Sequence, residues 1–259
     1  MYLTWLDSNS WLIELADKRI LLDPWLVGEL TFGNIGWLLK GKRSSDRTIP
    51  ENIDLILLSQ GIEDHAHPET LKRLDRSIPV VASPSAAKVV QAMGYSSVTT
   101  LKPGESYAID QFIQIQATVG SQLGPGTQEN GYLLTELPTG VTLYYEPHGS
   151  HPSTLPSPID VVITPLIDLA LPLVGSIIKG TESALDLAKQ VQPQVILPTA
   201  AGGEIEFEGI LISLLKAIGT TDDFRSKLAQ ANLSTQVIEP KPGERVEISV
   251  QAGAIANSL

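Results

Sequence analysis

Gln60-Gly61-Ile62-Glu63-Asp64-His65-Ala66 is the stretch on which the reading of this chain turns. It follows Asp54-Leu55-Ile56-Leu57-Leu58-Ser59, an apolar run of the length of a buried strand. After it comes His67-Pro68, with proline suited to a first helical position, and a helix is predicted over 69–75 with leucines at 71 and 74. Asp64 and His65 therefore sit side by side on a loop between a buried strand and a helix. Loops held by a rigid scaffold are where polar chemistry concentrates.

Outward from that loop, the chain states one plan twice. Three short alternating segments (3–6, 11–15 and 19–22) close on Asp23-Pro24, and a second trio (112–117, 131–135 and 141–145) closes on Glu146-Pro147. Each trio is followed by a buried-strand signal opened by aspartate, at Asp54 and at Asp160, and then by a helix, the second predicted over 181–191. Proline-bracketed strands follow, Pro79-Val80-Val81-Ala82-Ser83-Pro84 and Pro193-Gln194-Val195-Ile196-Leu197-Pro198. Further helices are expected over 86–93 and 210–218, stopped by Gly94 and Gly219. Both halves finish on Lys-Pro-Gly-Glu and a strand, from Lys102 and from Lys241. Two mixed sheets packed face to face with helices outside, a four-layer αββα sandwich with an internal pseudo-two-fold repeat, satisfy this order. One domain over 1–259, with repeats of about 1–109 and 110–259, is expected because no Gly/Ser or charged linker separates the halves. Residues 27–51 lack a counterpart and are expected to form a flap over one end, with Trp25, Phe32 and Trp37 packing back onto the sandwich; 203–209 is a smaller departure.

Composition narrows the function classes. With 259 residues, 42% of them apolar, the chain can bury a substantial core. A net charge of −11 without a basic block leaves no electrostatic footprint for nucleic acid. Cysteine is absent, so any metal must sit on His, Asp or Glu. The first ten residues lack the basic and apolar regions of a secretory signal, which makes the cytoplasm the default location. The apolar stretch 161–178 is interrupted by Pro165, Asp168 and Pro172, so a spanning helix is not expected; a buried strand followed by an apolar loop or short helix is.

Taken together, Trp11-Leu12-Ile13-Glu14-Leu15 through Asp23-Pro24-Trp25, the segment from Ile53 to His65, Asn130-Gly131-Tyr132 through Glu146, and Val195-Ile196-Leu197-Pro198 resemble the metallo-β-lactamase superfamily. The resemblance is strongest to the lactonase-like branch related to ascorbate-6-phosphate lactonase, and it runs over nearly the whole chain. It implies hydrolysis assisted by two metal ions, with a loop reading His-x-His-x-Asp-His. In this sequence the first two histidines of that loop fall on Gln60 and Ile62, the third on Ser121 or Gln122, and the last on Ala200. The bridging aspartate falls on or beside His148, and an N-terminal histidine of some relatives is replaced around Ser8 and Asn9. The resemblance thus leaves Asp64, His65 and His148 in register, with Glu146 as a possible fourth ligand.

Two functions follow. The degenerate ligand positions lead to the expectation of a protein that has lost the dinuclear site, a non-catalytic pseudoenzyme or the binder of a small polar ligand at Gln60, Ile62, Ser121, Gln122 and Ala200. The alternative is a hydrolase of an ester, lactone or phosphoester using one zinc, manganese or iron ion on the surviving ligands. His67 is expected exposed at a helix start and His151 solvated in a polar turn. Gly120–Gly126, with no phosphate-loop lysine, reads as a turn at the cleft mouth, and Gln128, Glu129 and Asn130 as ordinary loop residues.

Overall fold

The computed structural model describes residues 1–122 and 128–251, apart from the side chain of Asn34. Two seven-stranded sheets form its centre. The first runs, in spatial order, Arg245–Glu247, Tyr2–Trp5, Trp11–Leu15, Lys18–Leu22, Leu55–Leu58, Val80–Ala82 and Val98–Thr100. The second runs Ser106–Ile109, Ile113–Gln122, Gln128–Glu136, Thr142–Tyr145, Val161–Thr164, Val195–Pro198 and Gln236–Val237. In both, the first four strands are antiparallel and the rest parallel, so the repeat in the sequence is a repeat of strand direction. Each sheet takes its first strand from the opposite half of the chain. The two Lys-Pro-Gly-Glu turns are where the chain crosses over.

Side chains alternate across each sheet. Leu3, Trp11, Ile13, Ile20 and Leu22 of the first meet Ile113, Ile115, Tyr132, Leu134 and Leu143 of the second in one buried cluster. The outward set of the first sheet (Leu12, Leu21, Ile56) is covered by Leu71 and Val90 of the helices Pro68–Arg73 and Pro84–Ala92. That of the second (Leu133, Tyr144, Val162) is covered by Leu185 and Ala188 of Thr181–Val191 and Phe224 of Thr221–Gln230. The result is the αββα sandwich.

Three local expectations are corrected. The run over 210–218 is a short helix, Ile210–Leu214, followed by the strand Lys216–Ile218, and neither buries a side chain. The helix that covers the second sheet is Thr221–Gln230, capped by Thr220 and presenting Phe224 and Leu228 one turn apart. Second, 168–178 is a hairpin of Asp168–Leu171 and Gly175–Ile178, not an apolar loop or short helix, and Leu173 at its tip is fully exposed. Third, the two departures from the repeat find each other: Lys40–Arg43 of the insertion pairs with Ile205–Glu208, and Leu30–Thr31 completes that sheet. Trp25 and Leu30 are buried against Ile205 there, whereas Trp37 is 68% exposed and packs on nothing comparable.

Candidate metal centre

The strand Lys18–Leu22 delivers Asp23 into the space between the sheets, and Ser10 fixes the turn by donating to the Asp23 carbonyl and accepting from the Trp25 N–H. The fully buried Asp23 carboxylate accepts from the Ser59 N–H at 2.7 Å, the Ser59 hydroxyl at 2.5 Å and the Tyr145 hydroxyl at 2.7 Å. Its remaining partner is His65, whose Nδ1 lies 2.7 Å away. That contact fixes the imidazole with its proton on Nδ1 and leaves Nε2 to face outward. The loop carrying His65 folds back on itself through His65 N–H and Ala66 N–H, which both donate to the Ile62 carbonyl. Gly61 makes room for this, since a Cβ there would stand 2.7 Å from the Ser85 carbonyl carbon.

Asp64 places Oδ2 3.4 Å from His65 Nε2, and its other oxygen, Oδ1, is buried with no partner among the described residues. The Asn9 amide stands over the same point, 3.3 Å from His65 Nε2 and 3.5 Å from Asp64 Oδ2, and its own oxygen lies 3.5 Å from the Thr199 hydroxyl. His148 approaches from the second sheet, its ring 5.3 Å from that of His65 and nearly perpendicular to it. His148 Nδ1 lies 2.9 Å from both Gln60 Nε2 and the Ser121 hydroxyl. Gln60 Oε1 has no partner in this arrangement. Turned over, the same amide offers its carbonyl to an Nδ1 proton and frees His148 Nε2 for ligation. One ligand atom from each of Asp64, His65 and His148 falls within 4.8 Å of the others.

The two imidazoles sit in opposite electrostatic environments, and a cation binding His65 Nε2 has to displace a proton from it. Burial alone would lower His65, but the carboxylates of Asp64 and Asp23 outweigh it and hold the imidazole up at about 9. Burial, reinforced by the nearby His65 charge, pushes His148 down to about 3, so it stays a neutral donor. Asp64 is raised chiefly by burial. Two imidazoles and a carboxylate with an orphaned oxygen are a donor set that fits one divalent cation and leaves a coordination position open. Bound there, such an ion supplies Lewis acidity toward a carbonyl or phosphoryl oxygen.

Glu146, the possible fourth ligand, uses Oε2 to accept from the backbone N–H of His148 and Ser150, while Oε1 is buried without a partner among the described residues, and burial lifts the carboxyl to about 7. It shapes the turn that presents His148. Ile62, Ser121, Gln122 and Ala200 all line one cleft of about 810 Å³ with Asp64 and His148, while Gln60 lies buried beneath it. Two histidines are corrected. His67 is buried, not exposed: it caps the helix Pro68–Arg73 by accepting from Thr70 N–H, contacts the Glu29 carbonyl and packs on Trp25. His151 is half-buried against Tyr144, between its hydroxyl and that of Thr164, and burial lowers it to about 4.

Glu129 and Asn130 are likewise not loop residues. Both are buried in the strand Gln128–Glu136, Glu129 accepting from Ser83 and Ser85 and Asn130 donating to the Leu101 carbonyl. Of the glycine-rich turn, Leu123 to Gly126 lie outside the described residues. The roles of Asp23 and Tyr145 escaped the sequence reading, which named Asn9 only as the place of a replaced histidine. The available signal was Asp23 itself, a charged residue directly after the apolar run Ile20-Leu21-Leu22.

Comparison with known proteins agrees with the architecture. A family model described as a beta-lactamase superfamily domain matches residues 2–200. The isothiocyanate hydrolase from Delia radicum gut bacteria superposes with a TM-score of 0.65 at 16% identity, covering 96% of this chain and 100% of that one. Igni18, a metallo hydrolase from the archaeon Ignicoccus hospitalis, gives 0.64 at 17% identity over 96% and 99% of the two chains. CmlA, a diiron beta-hydroxylase from Streptomyces venezuelae, gives 0.68 at 13% identity over 95% of this chain and 54% of its own. At these identities the likeness is one of fold. Among curated proteins none matches the sequence. With three quarters of its length matched by the family model and its strands in this order, the chain belongs to the metallo-β-lactamase superfamily.

Proposed function

We propose that this protein is a hydrolase that works with a single divalent cation on Asp64, His65 and His148 and acts on an ester, lactone or phosphoester. The observation that carries the reading is the support built behind the ligands: Asp23 holds the proton of His65 on Nδ1, while a buried oxygen of Asp64 is left without a partner. Gln60 Oε1 and Glu146 Oε1 are buried without partners beside it among the described residues, and a cluster of unfilled buried acceptors next to two imidazoles suits a cation. Around the cluster, the Asn9 amide and the Ser121 hydroxyl are donors able to orient a substrate oxygen at the floor of the cleft. Zinc, manganese and iron all suit one carboxylate and two imidazoles.

Metal analysis of protein purified without chelator tests the proposal. Near-stoichiometric metal is expected, together with its loss in His65→Ala under conditions where the variant remains folded. If no zinc, manganese or iron binds even on addition, the hydrolase reading is wrong. The apolar Ile62 and Ala200 in the cleft then favour the second reading, a non-catalytic protein that has lost its dinuclear site and holds a small ligand there.

A further inference from the structure

We propose that the substrate of this site is an amphiphile, an ester or lactone of an extended alkyl-chain acid, rather than a small polar molecule; the assignment rests on the metal-dependent reading of Asp64, His65 and His148. The cleft floor is polar, but its walls are not. Leu39 comes from the insertion, Ile167, Leu169 and Ile177 from the hairpin and the segment before it, and Ile212 and Leu215 from the 210–218 run. These six come from three separate excursions that leave the two sheets and converge over one opening. All are only partly buried, and together they border the cleft beside the ligand cluster.

Apolar surface kept open in this way is uncommon on a soluble domain and marks a place where an apolar partner is expected. Leu173, Val174, Ile210 and Ile218, on the same excursions, are exposed as well. A cavity of about 810 Å³ lies in the range that encloses a ligand of drug size, far beyond an acetyl group.

Charge narrows the choice further. Among the residues lining the cleft, Lys179 carries the one ammonium group, and it makes no ion pair among the described residues. Its N–H donates to the His148 carbonyl at 2.9 Å, which fixes its backbone to the turn that presents the ligand. Lys179, exposed at the border of the cleft, complements the carboxylate formed when water adds to the acyl carbon and the C–O bond breaks, the oxygen leaving as a separate alcohol from an ester or as a hydroxyl of the same molecule from a lactone. A sugar phosphate would find one cation and a wall it cannot hydrogen-bond.

Calorimetric titration with butanoate, octanoate and dodecanoate, on metal-loaded and on chelator-stripped protein, tests the assignment. Binding is expected to tighten roughly fourfold per added methylene in both forms. Ile177→Asp and Ile212→Asp, at partly or largely exposed positions, should flatten that dependence without changing metal content. Lys179→Ala should weaken all three acids by a similar factor. Affinity independent of chain length overturns the inference, as does a dimer in sedimentation that Ile177→Asp dissociates while chain length has no effect, since the wall is then an interface between copies. Chain-length-dependent binding by a protein that takes up no metal keeps the ligand class and removes the hydrolase, so the two failures are distinguishable.

Discussion

The fully buried carboxylate of Asp23 accepts from Ser59, Tyr145 and His65, so a change there is felt first at His65 Nε2. In Asp23→Asn the amide presents a donor where His65 Nδ1 now donates, and the imidazole proton moves to Nε2, the atom needed for ligation. Metal affinity should fall by about 10–100-fold, the usual effect of removing such an orienting partner. Competition against a chromophoric chelator measures it, and unchanged affinity would show that Asp23 is a core residue only. Gly149 makes a second residue-scale case. Its φ is +74° and a Cβ would lie 1.6 Å from the Lys179 carbonyl oxygen, so Gly149→Ala must displace the turn that carries His148. We expect a loss of about 2–4 kcal/mol in urea unfolding. These two positions also show what a sequence withholds. Asp64 and His65 could be picked out because they are adjacent and polar on a loop. Asp23 could not, because the Ser59, His65 and Tyr145 that give it meaning lie far along the chain and meet it only in the fold.

At the scale of elements, legibility followed burial. Strands and helices that cover a sheet face announce themselves by alternation or by apolar residues one turn apart, and Thr181–Val191 was readable to the residue. The 210–218 run misled because its apolar residues face a cleft and solvent instead of a sheet, so its periodicity carried no packing information. The insertion was visible as a gap in the repeat, but its anchor was not. Asp7 is fully buried and accepts from Arg43 Nε at 2.9 Å, Arg47 Nε at 2.8 Å and the Glu204 N–H at 2.9 Å, tying both departures to the end of the first strand. Burial alone would raise the Asp7 carboxyl; the hydrogen bonds from Arg47, Glu204 and Arg43 outweigh it and hold the group below its ordinary value. Because the folded value is depressed, the stabilisation is complete above the unfolded value of about 3.9 and is lost as pH falls through the folded value. The insertion should therefore loosen below about pH 4, before the sandwich unfolds, and the fluorescence of Trp25, stacked under Arg43 at 4.4 Å, should report it. Asp7→Ala should loosen it at neutral pH, at a cost of about 3–5 kcal/mol, because it strands a buried guanidinium. Identical acid titrations of Trp25 fluorescence in the wild type and Asp7→Ala would contradict this account.

For the molecule as a whole, the exchange of edge strands decides how the two halves behave. Arg245–Glu247 completes the first sheet beside Tyr2–Trp5, and Ser106–Ile109 completes the second beside Ile113–Gln122. Neither half retains all the strands of its own sheet, and the apolar faces of both share one cluster in which Trp5 and Trp11 touch residues of the second half. The repeat therefore implies one cooperative unit, and we expect urea unfolding followed by tryptophan fluorescence and by far-UV circular dichroism to give coincident single transitions. Truncation after Pro240 makes the sharper test. It removes the hydrogen bonds from Gly243 N–H to the Trp5 carbonyl and from Ile248 N–H to the Met1 carbonyl, the Arg245–Glu14 pair, and the buried side chain of Ile248. Burial of that side chain alone contributes about 1.5–3 kcal/mol. If the halves are one unit, the loss must appear in the unfolding of residues 106–237 as fully as in that of the first sheet, and hydrogen exchange should speed up in both sheets together. Faster exchange confined to Tyr2–Trp5 and its neighbours would mean that the exchanged strands seal an edge and that the halves fold as separate bodies.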